Sequence, residues 1–262
     1  MEIKDKINPN VLVSTDHGPM IVNRFDNNPL TGIGGFLMKH GNNNTVEASF
    51  TFEILKDVEN PVVIDVGANI GTYATWIARW LEPRGGEIHC FEPQGPIFQI
   101  LCGNIAINNL FNAYTYNLAV GKQETIIETN NIEYRAGVNS FGAFTLTDTT
   151  LPEGRINKLE TTQRIKMTTL DRFVEDYALR KVDFIKIDAE GLDIDVLDGA
   201  QETIQRFGPD LYVEYLNLGP TGEEASSSLG LVKLSHYLRE LGYRCSPVGH
   251  DVFATKRNID SV

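Results

Sequence analysis

A glycine-rich loop between an apolar run and a helical stretch carries the clearest chemical signal in this sequence. The segment VVIDVGANIGTYA, residues 62–74, contains Asp65, Gly67 and Gly71 in the spacing Asp-x-Gly-x-x-x-Gly. Glycine allows a tight turn and a close approach of the backbone to a ligand, and the N-terminus of the following helix offers amide N–H groups to polar or anionic atoms. The pattern predicts a site for a cofactor that carries a carboxylate or a phosphate.

Glu92 and the composition of the loop narrow the choice of cofactor. Glu92 ends the run IHCFE roughly 20 residues after the loop, the offset at which doubly wound folds present an acid to a ribose diol. NAD and FAD loops read G-x-G-x-x-G, but Ala68 and Asn69 stand here where the middle glycine would fall. A pyrophosphate would lose its close backbone approach, so we interpret the loop as a site for S-adenosylmethionine. An NAD-dependent oxidoreductase is the alternative enzyme.

Acids crowd the end of a second apolar run, FIKIDAEGLDIDVLDGA, residues 184–200. In a doubly wound sheet the carboxyl ends of the strands line the ligand crevice, which places Asp188, Glu190 and Glu214 near the sulfonium of the cofactor. Transfer of a methyl group to an alcohol requires a proton acceptor for the hydroxyl. We therefore predict that Asp188 or Glu190 orients and deprotonates the acceptor hydroxyl, with Glu214 as a third acid of the catalytic group.

Two other roles for these acids stay open. Asp188 with Glu190 or Glu214 could ligate Mg²⁺, because carboxylate oxygens are suitable ligands for a hard cation. Alternatively, Lys186, Asp188 and Glu190 could form a structural ion-pair network, since alternation along a strand gives Lys186 and Asp188 the same face.

Other polar residues receive weaker assignments. Three further acids lie off the apolar stripe of a helix predicted over residues 192–207 and are expected to be structural: Asp193, Asp195 and Asp198. His17 and His40 lie in N-terminal turns that could cover the substrate, so one of them could assist as a base.

An open parallel sheet would bring these residues together. From residue 61 onward, short apolar β-type runs alternate with segments of helical period, the pattern of a parallel sheet covered on both faces. Predicted strands cover residues 61–66, 87–91, 113–119, 182–188 and 210–216, and a closing hairpin covers 243–247 and 251–255. Predicted helices cover residues 71–81, 95–109, 170–179, 192–207 and 231–241.

The chain divides into an extension and a main domain. Residues 1–60 contain a predicted hairpin over 11–26 and a helix over 45–55, and this extension could cover the substrate. Residues 61–262 form the main domain. Polar, Thr-rich stretches interrupt its alternation over residues 121–168, with extended pieces near 124–129 and 164–168, and predict an antiparallel insertion or flap.

Several motifs together resemble the FkbM family of S-adenosylmethionine-dependent methyltransferases. Besides the glycine loop and IHCFEP, they are T-x-x-G-P-M-I-V-N at residues 15–23, NLAVG at 117–121, TTLDRFV at 168–174 and FIKIDAEGLDIDVLDGA. The pair TLD and IKIDAEG is the most diagnostic. The resemblance implies a class I methyltransferase fold, a Rossmann-like doubly wound and mostly parallel sheet of seven strands. It also implies methyl transfer to a hydroxyl of a sugar, a glycan or a small natural product.

The resemblance also implies roles for individual residues. Glu92 would bind the ribose hydroxyls, and the turn that contains Asn117 and Ala119 would bind the adenine. The methionine end of the cofactor would lie against the glycine loop, whose assigned residues are Asp65, Gly67, Ala68, Asn69 and Gly71.

Composition excludes several classes of protein. A net charge of −12 argues against binding of nucleic acid, which depends on Lys and Arg at the phosphates. The three cysteines are odd in number and lack metal-ligand spacing, which favours a reducing compartment. No apolar h-region or run of about 18 apolar residues is present, so we expect a cytoplasmic protein without membrane association. A non-catalytic binding protein with a methyltransferase fold is the alternative from another class.

Overall fold

The N-terminal extension packs a hairpin and two helices beside the main domain. The computed structural model describes residues 7–146, 156–214, 227–248 and 251–257. Strands β1 (Asn10–Thr15) and β2 (Gly18–Asn23) pair antiparallel, and helices α1 (Ile33–His40) and α2 (Thr45–Leu55) follow. The predicted hairpin and the helix over residues 45–55 are confirmed. Helix α1 was not predicted, because the glycines of TGIGGF weaken its helical signal.

The remaining elements alternate along the chain. The strands are β3 (Val62–Val66), β4 (Glu87–Phe91), β5 (Ala113–Tyr116), β6 (Ala119–Val120), β7 (Thr125–Ile132), β8 (Lys158–Thr168), β9 (Phe184–Ile187), β10 (Asp210–Glu214), β11 (Arg244–Val248) and β12 (Asp251–Thr255). The helices are α3 (Thr72–Leu81), α4 (Gly95–Ile107), α5 (Leu170–Asp176), α6 (Asp193–Asp198), α7 (Gln201–Phe207) and α8 (Ser227–Glu240). None of the helices in the described residues combines the length and the apolar character needed to cross a bilayer.

A seven-stranded sheet forms the centre of the main domain, in the order β11-β12-β10-β9-β3-β4-β5. The five strands from β10 to β5 run parallel, whereas β12 is antiparallel to both β10 and β11. The predicted doubly wound, mostly parallel sheet is therefore confirmed, and it is the sheet of a class I methyltransferase fold. The hairpin predicted to close the chain supplies its antiparallel edge.

Helices cover both faces of this sheet. Side chains alternate along β3, so that Val63 packs with the core beneath α2, α3 and α4, and Ile64 packs with the core beneath α5 to α8. Burial on both faces explains why the strands read as continuous apolar runs. Asp65 follows Val63 on the α3 face, and this alternation directs its carboxylate towards the ligand crevice.

The helix predicted over residues 192–207 is in fact two helices, α6 and α7. The break lies at Gly199, where an added Cβ would be 2.1 Å from the carbonyl oxygen of Gly121, so a close contact with the insertion replaces a continuous helix. The carboxylate of Asp171 then accepts hydrogen bonds from the N–H groups of Glu202 and Thr203, at 3.0 and 2.7 Å, and caps α7.

The insertion forms a separate sheet in the order β6-β8-β7, with β7 and β8 antiparallel. This confirms the antiparallel interpretation for its described part. The strand predicted over residues 113–119 ends at Tyr116, because residues 119–120 leave the main sheet and pair with β8. The last two residues of the strand predicted over 210–216 lie outside the described residues.

Asp26 joins the extension to the insertion. Its side chain is 2% exposed, and its two carboxylate oxygens accept hydrogen bonds from the N–H groups of Gly34 and Phe141, at 2.8 and 2.9 Å. Burial raises the pKa of this carboxyl to about 6, because only backbone amides compensate its charge. The start of α1 and the segment around residue 141 are therefore held by one acid.

Replacing Asp26 by asparagine is expected to lower the free energy of unfolding by about 1–3 kcal/mol at pH 4–5, because the new amide would face one of the two N–H donors. A raised carboxyl pKa means that the wild type loses stability as the pH rises from about 4 to about 6. Asp26→Asn has no titratable group at this position, so its stability does not fall in this way. The difference in the free energy of unfolding between the wild type and the variant should therefore shrink over that pH range. Urea unfolding from pH 4 to pH 8 measures it. Asp16→Asn, at an exposed acid of the hairpin turn, is the control, and equal stability of Asp26→Asn and wild type at pH 4.5 would contradict the argument.

Candidate functional site

A cavity of about 300 Å³ opens at the carboxyl ends of β3, β4 and β9. Three parts of the chain line it. The extension contributes Thr31, Ile33 and Asn44, and the insertion contributes residues 140, 142–144 and 146. The main sheet and its loops supply the rest. A ligand in this cavity would therefore contact the extension and the insertion as well as the strand ends.

Most residues predicted for the site line this cavity. They are Asp65, Gly67, Ala68, Asn69, Glu92, Ala119, Asp188, Glu190 and Glu214. Gly71 and Asn117 do not. Gly71 serves the turn into α3, where its φ is 87° and an added Cβ would lie 2.6 Å from the side chain of Leu101. Asn117 donates hydrogen bonds to the carbonyl oxygens of Glu92 and Pro93, and Leu118 lines the cavity in its place.

Gly67 is required by a neighbouring loop of the protein itself. Its φ is +82°, and an added Cβ would lie 1.8 Å from the carbonyl oxygen of Asp188. The loops after β3 and β9 therefore touch through their backbones at this point. The sequence predicted that this glycine allows a close approach of a ligand. The structure shows a close approach of the Asp188 loop at this position.

The amide groups of the glycine loop itself are used within the protein, so the N–H groups open to a ligand are those of the following helix, as the sequence predicted. The N–H groups of Gly67 and Ala68 donate to the carbonyl oxygen of Phe91, and that of Asn69 donates to a carboxylate oxygen of Glu92 at 3.0 Å. A ligand anion would instead have to meet the first turn of α3, near Thr72.

Glu92 is a buried acid with capacity for further hydrogen bonds. It is 3% exposed, and its oxygens accept from the N–H groups of Asn69 and Gln94, at 3.0 and 2.8 Å. Burial raises the pKa of this carboxyl to about 8. Because each carboxyl oxygen has two lone pairs, Glu92 can still contact a diol. The side chain of Gln94 also donates to the carbonyl oxygen of Phe141 at 2.8 Å, which links this loop to the insertion.

Lys186 is the centre of a buried ion-pair group. Its Nζ lies 2.9 Å from Asp188 and 3.6 Å from Asp65, and the residue is 5% exposed. Lys186 is the register partner of Asp65 on the parallel neighbour strand, which places both side chains on the α3 face. Burial opposes the charge of Lys186, but the two acids raise its pKa above the ordinary value. The Lys186–Asp188 pair of the ion-pair network that was left open as an alternative is thus confirmed.

The carboxylate of Asp65 lies close to the ammonium of Lys186 but accepts no hydrogen bond from the described residues. It is fully buried, lines the cavity, and neither carboxylate oxygen accepts a hydrogen bond from the described residues. Burial raises the pKa of this carboxyl to about 6, against the opposing effect of Lys186. An ammonium group of a ligand would satisfy these oxygens, so the site fits the amino-acid end of S-adenosylmethionine.

Asp188, Glu190 and Glu214 come together at the other side of the cavity. One oxygen of each carboxyl lies within 4.8 Å of the others. The charge of Asp188, together with burial, raises the pKa of Glu214 well above its usual range. Burial opposes ionisation of Asp188, but the ammonium of Lys186 outweighs it and lowers the pKa of Asp188. Of this pair of acids, Asp188 therefore favours the ionised form and Glu214 the protonated form.

The three acids after this group are structural, as predicted, but Asp193 does not lie on a polar face. It is 5% exposed and accepts hydrogen bonds from the N–H groups of Ala189 and Gly191, at 2.9 and 3.3 Å. Burial raises the pKa of Asp193 to about 7. Asp193 thus shapes the loop that carries Glu190. Asp195 pairs with Lys122 outside the cavity, and Asp198 accepts a hydrogen bond from a tyrosine of α8.

The two N-terminal histidines are not placed to act as bases, which overturns that hypothesis. His17 is fully buried, its Nε2 accepts the N–H of Asn43 at 3.1 Å, and burial lowers its pKa to about 4. His40 is exposed on α1. Among the described residues, no histidine lines the cavity.

Asn44 is a cavity residue that the sequence did not identify. An asparagine before a helix is an expected N-cap, but Asn44 makes no side-chain capping bond to α2. Its Oδ1 instead accepts a hydrogen bond from the hydroxyl of Thr72 at 2.6 Å, and its backbone is left-handed with φ 52°. The sequence indicates a helix N-cap at Asn44, but it does not indicate the hydrogen bond with Thr72 across the cavity.

The chain resembles known methyltransferases in sequence. Residues 65–245 match the family model described as the methyltransferase FkbM domain. The methyltransferase sdnD of Sordaria araneosa is 24% identical over 173 residues, which cover 58% of this chain and 64% of that protein. This chain therefore spans less than two thirds of the length of that curated relative.

Two solved structures of methyltransferases are similar in fold at low identity. Methyltransferase FkbM from Methylobacillus flagellatus KT is 15% identical with a TM-score of 0.48, and the match covers 80% of this chain and 53% of that one. A SAM dependent methyltransferase from Aquifex aeolicus is 14% identical with a TM-score of 0.41, and the match covers 80% of this chain and 87% of that one.

Proposed function

Because the chain belongs to the FkbM methyltransferase family, we propose that it uses S-adenosylmethionine to methylate a hydroxyl group of a sugar, a glycan or a small natural product. One observation carries the proposal. A single cavity joins the unsatisfied carboxylate of Asp65 and the acid Glu92 to the acids at the ends of β9 and β10. Groups suited to bind a cofactor and groups suited to accept a proton thus line the same cavity.

The cofactor half of the cavity is built by three strand ends. The proposal assigns Asp65 to the ammonium of the amino-acid end, Glu92 to the ribose hydroxyls, and the wall of Leu118 and Ala119 to the adenine. When bound, the cofactor supplies an electrophilic methyl group on a sulfonium. Asn69 fixes the carboxyl of Glu92 through its backbone N–H, so this half is ordered before a ligand enters.

The acids at the ends of β9 and β10 have different roles: one orients the acceptor hydroxyl and another accepts its proton. Asp188 is held ionised by Lys186, and its lowered pKa makes it a better hydrogen-bond acceptor for the hydroxyl than a proton acceptor. We assign to Glu190, which lies in the same acid group, the role of accepting the proton of the hydroxyl. Because the charge of Asp188 and burial raise the pKa of Glu214, we assign Glu214 the protonated form, in which it stabilises the Asp188 carboxylate.

The acceptor would enter between the acids and the two added segments. Thr31, Asn44 and Ser140 give this wall polar groups, whereas Ile33 and Phe144 give it apolar surface. Such a mixed wall supports an acceptor with a ring or chain that carries several hydroxyl groups.

A divalent cation is the second candidate for the acid group. The oxygens of Asp188, Glu190 and Glu214 are close enough to bind Mg²⁺ together. Lys186 competes with that arrangement, because its ammonium lies 2.9 Å from Asp188 and already compensates the charge. Loss of turnover in chelator with recovery on added Mg²⁺ would favour the metal over the proton assignment.

Calorimetric titration tests the proposed function directly. We expect S-adenosylhomocysteine to bind and NAD to give no heat, and the reverse would favour an oxidoreductase. On an acceptor found by screening hydroxyl compounds with labelled cofactor, Glu190→Gln should lower kcat about 100-fold or more with little change in S-adenosylhomocysteine affinity. Asp195→Asn, an acid of α6 that pairs with Lys122 outside the cavity, is the matched control. Near-normal turnover in Glu190→Gln would refute the base assignment, and cofactor binding without any acceptor would favour the non-catalytic alternative.

A further inference from the structure

A second cavity lies beside the first, along helix α1 of the extension. Its volume is about 420 Å³, and it shares Thr31 and Ile33 with the cavity at the strand ends. The two cavities therefore meet at the start of α1. One ligand that passes over Thr31 and Ile33 would lie in both of them.

The first cavity leaves little room for a large acceptor. Cavities that hold one small organic ligand measure about 300–1,000 Å³, so a cavity of about 300 Å³ is at the lower limit for a single molecule. With the methyl donor bound, the space that remains suits the reacting hydroxyl and its immediate neighbours. The rest of an extended acceptor must lie outside this cavity, and the second cavity continues from its wall.

Helix α1 presents two aromatic rings to the second cavity. Ile33, Phe36 and His40 line it at spacings of three and four residues, which places them along one face of the helix. The ring centroids of Phe36 and His40 are 4.4 Å apart, and Phe36 is 46% exposed. From Ile33 to His40 the helix rises by roughly 10 Å, which is long enough for a ring bound beyond the reacting one. The apolar C–H face of a sugar ring can pack on such aromatic surface.

Amide side chains supply the polar part of this cavity. Asn27 and Asn43 line it, and their side-chain amides form no hydrogen bond with other described residues. Each amide offers two N–H donors and one carbonyl acceptor, the combination that neighbouring hydroxyl groups of a sugar require. Among the described residues that line the second cavity none is acidic, whereas the first cavity contains the acids of the catalytic group. The second cavity therefore suits a neutral ligand that has both an apolar face and hydroxyl groups.

We propose that the second cavity is the subsite for a remote sugar ring of the acceptor, which is a saccharide of at least two linked rings. This inference rests on the proposed function and narrows its acceptor class. The reacting hydroxyl lies beside the acids at the strand ends, and the remote ring packs on Phe36 and His40. The amides of Asn27 and Asn43 bind the hydroxyl groups of that ring. No bond forms or breaks in this subsite, which contributes only binding free energy.

Matched pairs of acceptors test the subsite. The probes are methyl glycosides of single hexoses and methyl glycosides of disaccharides built from the same hexoses, each incubated with the full chain and labelled S-adenosylmethionine. We expect the two-ring member of a pair to have a kcat/KM at least about tenfold higher, because the remote ring adds binding free energy that a single ring lacks. Equal kcat/KM for the two members, or methylation of the one-ring members alone, would overturn the proposal.

Variants of α1 and the loop after it locate the effect. Phe36→Ala should raise KM for the two-ring acceptor about fivefold or more with little change in kcat, because the remote ring takes no part in the chemistry. Asn43→Ala should act in the same direction. Met38→Ala is the matched control, since Met38 lies on the same helix and is 42% exposed but does not line the cavity. An unchanged KM in both Phe36→Ala and Asn43→Ala would overturn the proposal.

Cofactor binding separates this proposal from the proposed function. Each variant should bind S-adenosylhomocysteine as the wild type does, which confirms that it is folded. Methylation of hydroxyl compounds that are not sugars, without methylation of any saccharide, would overturn the subsite and leave the proposed function intact. Failure of the wild type to bind S-adenosylhomocysteine would instead refute the proposed function.

Discussion

Gly67→Ala is expected to abolish binding of S-adenosylhomocysteine and to leave little or no folded protein. The added Cβ would lie 1.8 Å from the backbone carbonyl oxygen of Asp188, and no side-chain rotation can relieve this contact because the backbone fixes the position of both atoms. Relief would require the ends of β3 and β9 to separate, which would also pull Asp65 away from Lys186. We expect a loss of more than about 4 kcal/mol in the free energy of unfolding, as for other severe core changes. Urea unfolding followed by circular dichroism measures it.

Gly242→Ala is the matched control for this substitution. Gly242 has a φ of +84° against +82° at Gly67, but an added Cβ there would meet nothing within 4 Å. It should cost only the backbone strain of a left-handed alanine, about 1–2 kcal/mol. The difference between the two variants therefore isolates the contact with Asp188. Equal losses in the free energy of unfolding of the two variants would contradict the close contact between the two loops.

The architecture of the sheet was predictable because its strands are buried on both faces. Residues 62–66 and 87–91 are short apolar runs that lead into segments of helical period, and this pattern admits few alternatives. The rule that ligands bind at the carboxyl ends of such strands then placed Asp65, Glu92 and Asp188 in one crevice. Sequence alone was sufficient for these residues because each lies at the carboxyl end of its strand or directly after it.

Contacts that outweigh the local sequence pattern were not predictable. The break between α6 and α7 depends on the carbonyl oxygen of Gly121, and the contribution of Asn44 depends on the hydroxyl of Thr72. Asp193 lies off the apolar stripe by period, yet two N–H groups of the preceding loop draw it into the interior. In each case a hydrogen bond or a close backbone contact outweighs the local pattern.

The cavity walls supplied by the extension and the insertion were the least predictable part of the site. The segment around Gly142 crosses the glycine loop, since an added Cβ there would lie 2.8 Å from the side-chain amide of Asn69. Asp26 and Gln94 hold this segment through hydrogen bonds to the backbone of Phe141. All of these contacts join segments that are tens of residues apart, and no local sequence pattern reports them.

Lys186→Met is expected to lower the free energy of unfolding by about 3–5 kcal/mol at pH 8, the usual effect of removing one partner from a buried ion pair. Methionine fills similar volume but leaves Asp65 and Asp188 without their cation. In the wild type Lys186 lowers the pKa of Asp188, so its stabilising contribution is present above the unfolded pKa near 4 and is lost as the pH falls. The difference in stability between the variant and the wild type should therefore shrink as the pH falls below about 4, as measured by urea unfolding at a series of pH values.

The double variant Lys186→Met/Asp188→Asn separates lost charge compensation from lost packing. It removes one of the two uncompensated carboxylates, so it should regain a large part of the stability lost in Lys186→Met at pH 8. Lys181→Met is the surface control, because Lys181 pairs with Asp183 at 3.0 Å but its side chain is 40% exposed. That substitution should cost less than about 1 kcal/mol at any pH. A pH-independent loss in Lys186→Met without rescue in the double variant would show that Lys186 acts by packing.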